Sequence, residues 1–292
     1  MLHIFLSSPR SGSTRLGQII ALLGIEFVPE PFHPECKSWG FLGAYNNIAE
    51  LALGVESSSL SRDLIRADES IFKICKYLDR QDRHYMIEIF PGHVEMNTLS
   101  QLLSVYPSIF LQRRLIDQFI SLVKARSLGE SGIWADVDTT SLKPRLCANA
   151  FIRHCQDMII FYSSAFIAVS PRVASCSLII DYEYYAGLSD DEQVCAILSL
   201  FTEIGLPTSK YHAKDPAQDL HDWYSSSPVC RQDSSLTWGA KIINRREFLI
   251  SLILCRDSTL NLPDYTFLIH ARPLGLTQLA LAPFRIASTS CA

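Results

Sequence analysis

Leu2-His-Ile-Phe-Leu-Ser-Ser-Pro-Arg-Ser-Gly-Ser-Thr-Arg-Leu16 is the stretch that decides the fold. Leu2 to Leu6 is a short apolar run, as in a strand buried on both faces, and it ends where Ser7, Ser8 and Pro9 turn the chain polar. From Thr14 to Leu23, apolar residues recur at helical spacing (Leu16, Ile19, Ile20, Leu23), and Gly24 supplies a stop. The chain thus opens on a strand, a loop of small residues and a helix.

The same order returns downstream. Ser108 to Gln112 reads as a strand after the Tyr106-Pro107 break, followed by a helix over Leu115 to Arg126 with Ile116, Phe119, Ile120 and Val123 on one face. Cys176 to Asp181 is a further strand candidate. Ser189-Asp-Asp-Glu192 then carries a capping signature before an apolar-periodic helix, Val194 to Ile204, which Gly205 and Pro207 end. Ile71 to Cys75 reads as a short strand carrying Lys73 and leading to Lys76. Alternating strands and helices predict an α/β, three-layer, P-loop-like fold with a mostly parallel central sheet flanked by helices, binding ligands beyond the carboxyl ends of its strands. The tail from Ser209 offers a helix over Asn244 to Arg256 and a strand-like run from Tyr265 to His270.

The 292 residues are 48% hydrophobic and 19% charged, which suits one globular domain over residues 1–292, its motifs confined to 2–207. A net charge of −4 gives no global attraction to nucleic acid or an anionic membrane, so a polyanionic ligand needs a local basic cluster. Nine cysteines, none in a C-x-x-C pair, read as apolar fillers in a reducing compartment. The apolar N-terminal run is too short for a signal peptide or a membrane span, so a cytoplasmic protein is expected.

Between the first strand and helix, a small-residue loop exposes backbone N–H groups at the positive end of a helix dipole, a cradle for phosphate. Gly12 permits close backbone approach, Ser11, Ser13 and Thr14 add hydroxyls, and Arg10 adds a charge able to grip two oxygens at once. Aligned on a nucleotide-hydrolysing P-loop, Ser13 stands where the lysine belongs, which disfavours ATP or GTP chemistry.

Pro9-Arg-Ser-Gly-Ser-Thr14 resembles the phosphosulfate-binding loop of the sulfotransferase superfamily, and its arginine form is most similar to bacterial trehalose-type and Golgi carbohydrate enzymes. The resemblance implies that residues 10 to 14 hold the 5′-phosphosulfate of 3′-phosphoadenosine 5′-phosphosulfate. Arg113-Arg-Leu-Ile-Asp117-Gln-Phe-Ile-Ser121 resembles the family's second donor segment, so that Arg113 and Ser121 are expected at the 3′-phosphate. Glu30-Pro31 resembles the acidic segment that supplies the catalytic base, although the register also admits His33 or Glu35. A hydroxyl must lose its proton as it attacks sulfur, and a glutamate set among Phe27, Pro29, Pro31 and Phe32 should have a raised pKa. Tyr182-Glu183 resembles a recurrent family pair, and Lys241, Arg245 and Arg246 are candidates for a late donor-binding segment.

The resemblance implies in-line transfer to a small-molecule or carbohydrate hydroxyl without a metal; the sequence displays no Asp/His metal cluster. Trp39, Phe41, Tyr45 and Trp134 are candidates for lining the acceptor site. The rivals are a P-loop small-molecule kinase, which needs Mg²⁺ and a lysine at the phosphates, and a nucleotide-binding module without turnover.

Overall fold

A computed structural model describes residues 1–35, 40–128, 141–206, 237–255, 268–269, 271–274 and, as backbone, 285–287. Six strands, β1 (Leu2–Leu6), β2 (Glu26–Val28), β3 (Tyr85–Ile89), β4 (Ser108–Gln112), β5 (Leu178–Asp181) and β6 (Arg285–Ala287), form one sheet in the order β2-β3-β1-β4-β5-β6. Every pairing is parallel, so the sheet expected as mostly parallel is wholly so.

Eleven α-helices are described: α1 (Ser13–Leu22), α2 (Asn46–Leu53), α3 (Arg62–Arg66), α4 (Asp68–Asp79), α5 (Met96–Val105), α6 (Leu115–Ser127), α7 (Ala148–Ala168), α8 (Pro171–Ala174), α9 (Tyr182–Ala186), α10 (Asp190–Glu203) and α11 (Arg245–Leu254). They cover both faces. Leu2, Ile4 and Leu6 of β1 point into a core shared with α4, α5, α6, α7 and α11, while Phe5 points the other way against Leu16, Ile19 and Ile20 of α1 and Ile197 and Phe201 of α10. The period-two alternation of a strand thus separates the two cores, and the three layers follow.

The chain winds from β1 out to β2 and back to β3 on one side of β1, then crosses it to β4 and on to β5 on the other. Such a switch point opens a crevice at the carboxyl ends of the strands. The loops after β1, β3 and β4 all meet there.

Two sequence expectations need correction. Ile71 to Cys75 is not a strand but part of α4, whose Ile71, Ile74, Cys75 and Leu78 are buried at helical spacing. The strand on that side of the sheet is β3, Tyr85-Met-Ile-Glu-Ile89, in which Glu88 interrupts an otherwise apolar run. Leu268 and Ile269 form a 3₁₀ turn, and the remainder of the expected run from Tyr265 to His270 falls outside the described residues apart from these two. The Ser189 capping box is present as expected, its hydroxyl accepting from the Glu192 amide.

Candidate functional site

The loop after β1 is held from several sides. Ser7 Oγ donates to Glu88 Oε1 at 2.7 Å, and Gln118 Nε2 of α6 donates to Ser8 Oγ at 2.5 Å and to the Pro9 carbonyl at 3.0 Å. The Ser11 amide closes a turn onto the Ser8 carbonyl, and Gly12, at φ 93°, turns the chain into α1. A left-handed φ of this size suits glycine, and no side chain caps the helix start behind it. The first turn of α1 carries no acidic residue, so its positive end is not neutralised from within.

Arg10 itself sits at φ 66°. Its Nε donates to Ser121 Oγ at 3.0 Å, and its carbonyl accepts from Arg113 Nη1 at 3.0 Å. Arg10 is thus in contact with two residues more than a hundred positions away in sequence. Burial, and then the charge of Arg113, pull the Arg10 guanidinium below its ordinary pKa. Arg10 makes no ion pair with a carboxylate among the described residues. Two guanidiniums packed together in this way favour an anion between or beside them. Ser11 Oγ is fully buried and has no hydrogen-bond partner, an orphan group that a phosphate or sulfate oxygen would satisfy. Ser13 is buried, whereas Thr14 is exposed on the first turn.

The second segment divides its labour. Arg113 lies 4.4 Å over the ring of Tyr182, which holds it by a cation–π contact. Arg114, by contrast, is neutralised: it pairs with Asp117 at 2.7 Å and approaches Glu183 at 3.5 Å. Glu183 also accepts from the Arg114 amide. The Tyr182-Glu183 pair thus positions the two arginines. Lys241 is buried against Asp117 at 3.0 Å, so it acts as a structural partner, while Arg245 and Arg246 are exposed and Arg245 lies over Trp238. A further late cation here is one the sequence did not single out. Arg272 pairs with Asp181 and Glu183, on a segment anchored by Leu115 N to the Ala271 carbonyl and Leu274 N to Gln112 Oε1.

Of the base candidates, Glu30 is buried, His33 half-buried and Glu35 exposed. Burial, and secondarily the nearby Glu88 carboxylate, push the Glu30 carboxyl up to about 8. Glu30 stands at φ 43°; it and Arg10 are the two non-glycine residues of positive φ among those described. Gly40 packs over this turn so closely that a Cβ would lie 2.9 Å from the Pro31 Cα. Glu88 links the two loops. Its carboxylate accepts from Ser7, from the Ser13 hydroxyl and from the Glu30 backbone amide, and burial raises its own pKa to about 7.

His93, on the loop after β3, completes the group. Its Nε2 lies 3.7 Å from Glu30 Oε2, and that of His33 lies 3.9 Å from the same oxygen. One ligand atom from each of Glu30, His33 and His93 falls within 4.8 Å of the others, so the three are spaced as a metal site would be, a cluster invisible in the linear sequence. Glu88 and His93 carried no motif that would have revealed them.

The other candidates lie elsewhere. Lys73 is exposed and paired with Glu69 at 2.7 Å on α4, and Lys76 is exposed too. Phe41 is fully buried against Phe32, and Tyr45 donates to the Phe27 carbonyl, so both serve packing. Trp39 and Trp134 fall outside the described residues. No described helix is long and apolar enough to cross a membrane. No protein-family model matches the chain, and no curated protein matches it.

Proposed function

We propose that the protein is a cytoplasmic sulfotransferase that moves a sulfuryl group from 3′-phosphoadenosine 5′-phosphosulfate to a hydroxyl of a small molecule or carbohydrate. The observation that carries this reading is the convergence of Arg10, Arg113 and Ser121 on one side of the β1 loop with the buried, high-pKa Glu30 tied to the other side through Glu88. The orphaned Ser11 hydroxyl and the two adjacent guanidiniums fit a donor that presents phosphate and sulfate oxygens.

In this reading the donor supplies an activated sulfuryl group. Arg10, the Ser11 hydroxyl and the amides of Ser11 to Thr14 grip the 5′-phosphate and stabilise charge that builds on it as the bridge to sulfur breaks. Arg113 and Ser121 anchor the 3′-phosphate and so orient the donor. Glu30 takes the proton of the attacking hydroxyl.

Calorimetric titration with 3′-phosphoadenosine 5′-phosphate, with and without Mg²⁺ and beside ATP, tests the reading. Magnesium-independent binding tighter than that of ATP is expected. Binding of ATP that requires Mg²⁺ would turn the assignment to a kinase, and binding of neither nucleotide would refute the donor site.

A further inference from the structure

We infer that Glu30 and His93, with His33 beside them, form a seat for one uncharged hydroxyl oxygen, in which the imidazoles act as Nε2–H donors. This deepens the proposed function and rests on it for the identity of that oxygen as the sulfuryl acceptor.

The tautomers carry the inference. His93 Nδ1 accepts from the Phe90 amide at 3.2 Å, and His33 Nδ1 accepts from the Glu35 amide at 3.0 Å. A ring nitrogen that accepts a backbone N–H bears no proton, so in each neutral imidazole the hydrogen is on Nε2. Both Nε2 atoms face Glu30 Oε2, at 3.7 and 3.9 Å. A metal-binding histidine shows the reverse arrangement, donating its remote N–H to a carbonyl or carboxylate so that the other nitrogen offers a lone pair. The three residues therefore have the spacing of a metal site and the hydrogen-bond polarity of an oxygen site.

The distances leave room for that oxygen. They are too long for direct hydrogen bonds, and Glu30 Oε2 is a buried atom with no hydrogen-bond partner. An oxygen just off the plane of the three atoms comes within hydrogen-bond reach of each. A hydroxyl offers one donor and two lone pairs, and the seat offers one carboxylate acceptor and imidazole N–H donors. An ammonium, with three donors and no acceptor, would set its hydrogens against the imidazole hydrogens.

His93 is fixed for this task. It is 4% exposed, stacked on Phe90 at 5.1 Å and edge-on to His33 at 5.0 Å. Arg66 donates to the carbonyls of Gly92 and His93 and keeps a positive charge beside the ring. Burial, then His33 and Arg66, hold the His93 pKa down to about 3, so it is a donor and not an acid at neutral pH. As the acceptor oxygen attacks sulfur, its proton passes to Glu30 Oε2. The new O–S bond forms while the bond from sulfur to the donor's phosphate oxygen breaks, and the electron pair leaves on that phosphate. The imidazole N–H groups steady the negative charge that develops on the acceptor oxygen.

The test combines two variants with a direct view of the rings in the full-length protein. His93→Asn keeps an acceptor for the Phe90 amide but removes the Nε2–H donor, and His93→Gln restores a donor at that reach. Sulfate release from 3′-phosphoadenosine 5′-phosphosulfate in water, where water takes the place of the hydroxyl, should fall about 100-fold in His93→Asn and recover at least about tenfold in His93→Gln. Affinity for 3′-phosphoadenosine 5′-phosphate should stay within about twofold of wild type. Long-range ¹⁵N–¹H spectra of the wild type should show His33 and His93 neutral at pH 7 with protonated Nε2. Protonated Nδ1 in His93, or zinc binding that His93→Asn abolishes, would overturn the inference in favour of a metal site, as would unchanged sulfate release in His93→Asn. Loss of nucleotide binding in the wild type with the Nε2–H tautomers intact would refute the transferase reading and leave the hydroxyl seat standing.

Discussion

Replacing Glu30 by glutamine should make the protein more stable, increasingly so as the pH rises, while abolishing its turnover. The folded protein holds the Glu30 carboxyl at about 8, against an ordinary value of 4.5. Between those limits the folded state keeps a proton that the unfolded chain releases, so the wild type loses stability as pH rises through that window. Glutamine is a neutral isostere of the protonated acid and escapes that loss. Worked from the two values, the advantage of Glu30→Gln is about 1 kcal/mol at pH 5, about 3 kcal/mol at pH 7 and about 4 kcal/mol at pH 8. Glu88, raised to about 7, adds a falling slope of its own to both proteins, and because its charge is coupled to that of Glu30 the difference between them reports Glu30 together with that coupling. Urea unfolding from pH 5 to 8.5 under reductant measures it. A variant less stable than wild type at pH 8, or a difference that does not grow with pH, would show that Glu30 is not held against its ionisation and would remove the basis for its role as the base.

Arg10→Ala should cut turnover by about 100-fold or more and weaken nucleotide binding, as loss of a preorganised charge donor does; near-normal kinetics would take the β1 loop out of the mechanism. The rate should rise with pH as Glu30 ionises, to a limb near 8. In Glu88→Gln that limb should move to lower pH because the neighbouring carboxylate is gone, and a limb that stays in place would refute the coupling. Asp117→Ala strands the buried Lys241, while Arg114 keeps Glu183, and should cost about 3 kcal/mol in denaturant unfolding; a change under about 1 kcal/mol would show that water reaches Lys241. Gly40→Ala combines a φ of 70° with a Cβ only 2.9 Å from the Pro31 backbone, so it should lower kcat by shifting the Glu30 turn; a kcat equal to wild type would show that the turn tolerates the shift.

The proposed donor side of the site was legible in the sequence because its groups are local. One loop and one segment of nine residues carry Arg10, Ser11, Gly12, Ser13, Arg113 and Ser121, and the strand and helix around each are marked by apolar runs of clear period. The proposed acceptor side was less legible because it is assembled in space. Glu88 lies in a strand that reads as broken by its own charge, and its function depends on three partners from two other loops. His93 acquires meaning only where the end of β3 comes alongside the Glu30 turn. The expected strand at Ile71 to Cys75 failed for a related reason: a five-residue apolar run fits either period, and burial at Ile71, Ile74, Cys75 and Leu78 settles it as a helix. The fold and the β1 loop are properties of short windows, whereas Glu30 and its neighbours are properties of the sheet order.

Glu88 explains why these two kinds of information meet at one place. The parallel register that puts β3 beside β1 brings Glu88 opposite Phe5, so that its carboxylate reaches Ser7 at the end of β1 and Ser13 at the start of α1. The same carboxylate accepts the Glu30 amide and so helps to hold that residue at its positive φ. Strain of this kind costs about 1–3 kcal/mol per residue and persists only where neighbours over-determine the backbone. Among the described non-glycine residues it occurs at Arg10 and Glu30, one on each side of Glu88. A single buried carboxylate therefore fixes the β1 loop and the Glu30 turn relative to each other, and its own charge raises the proton affinity of the Glu30 carboxyl it positions.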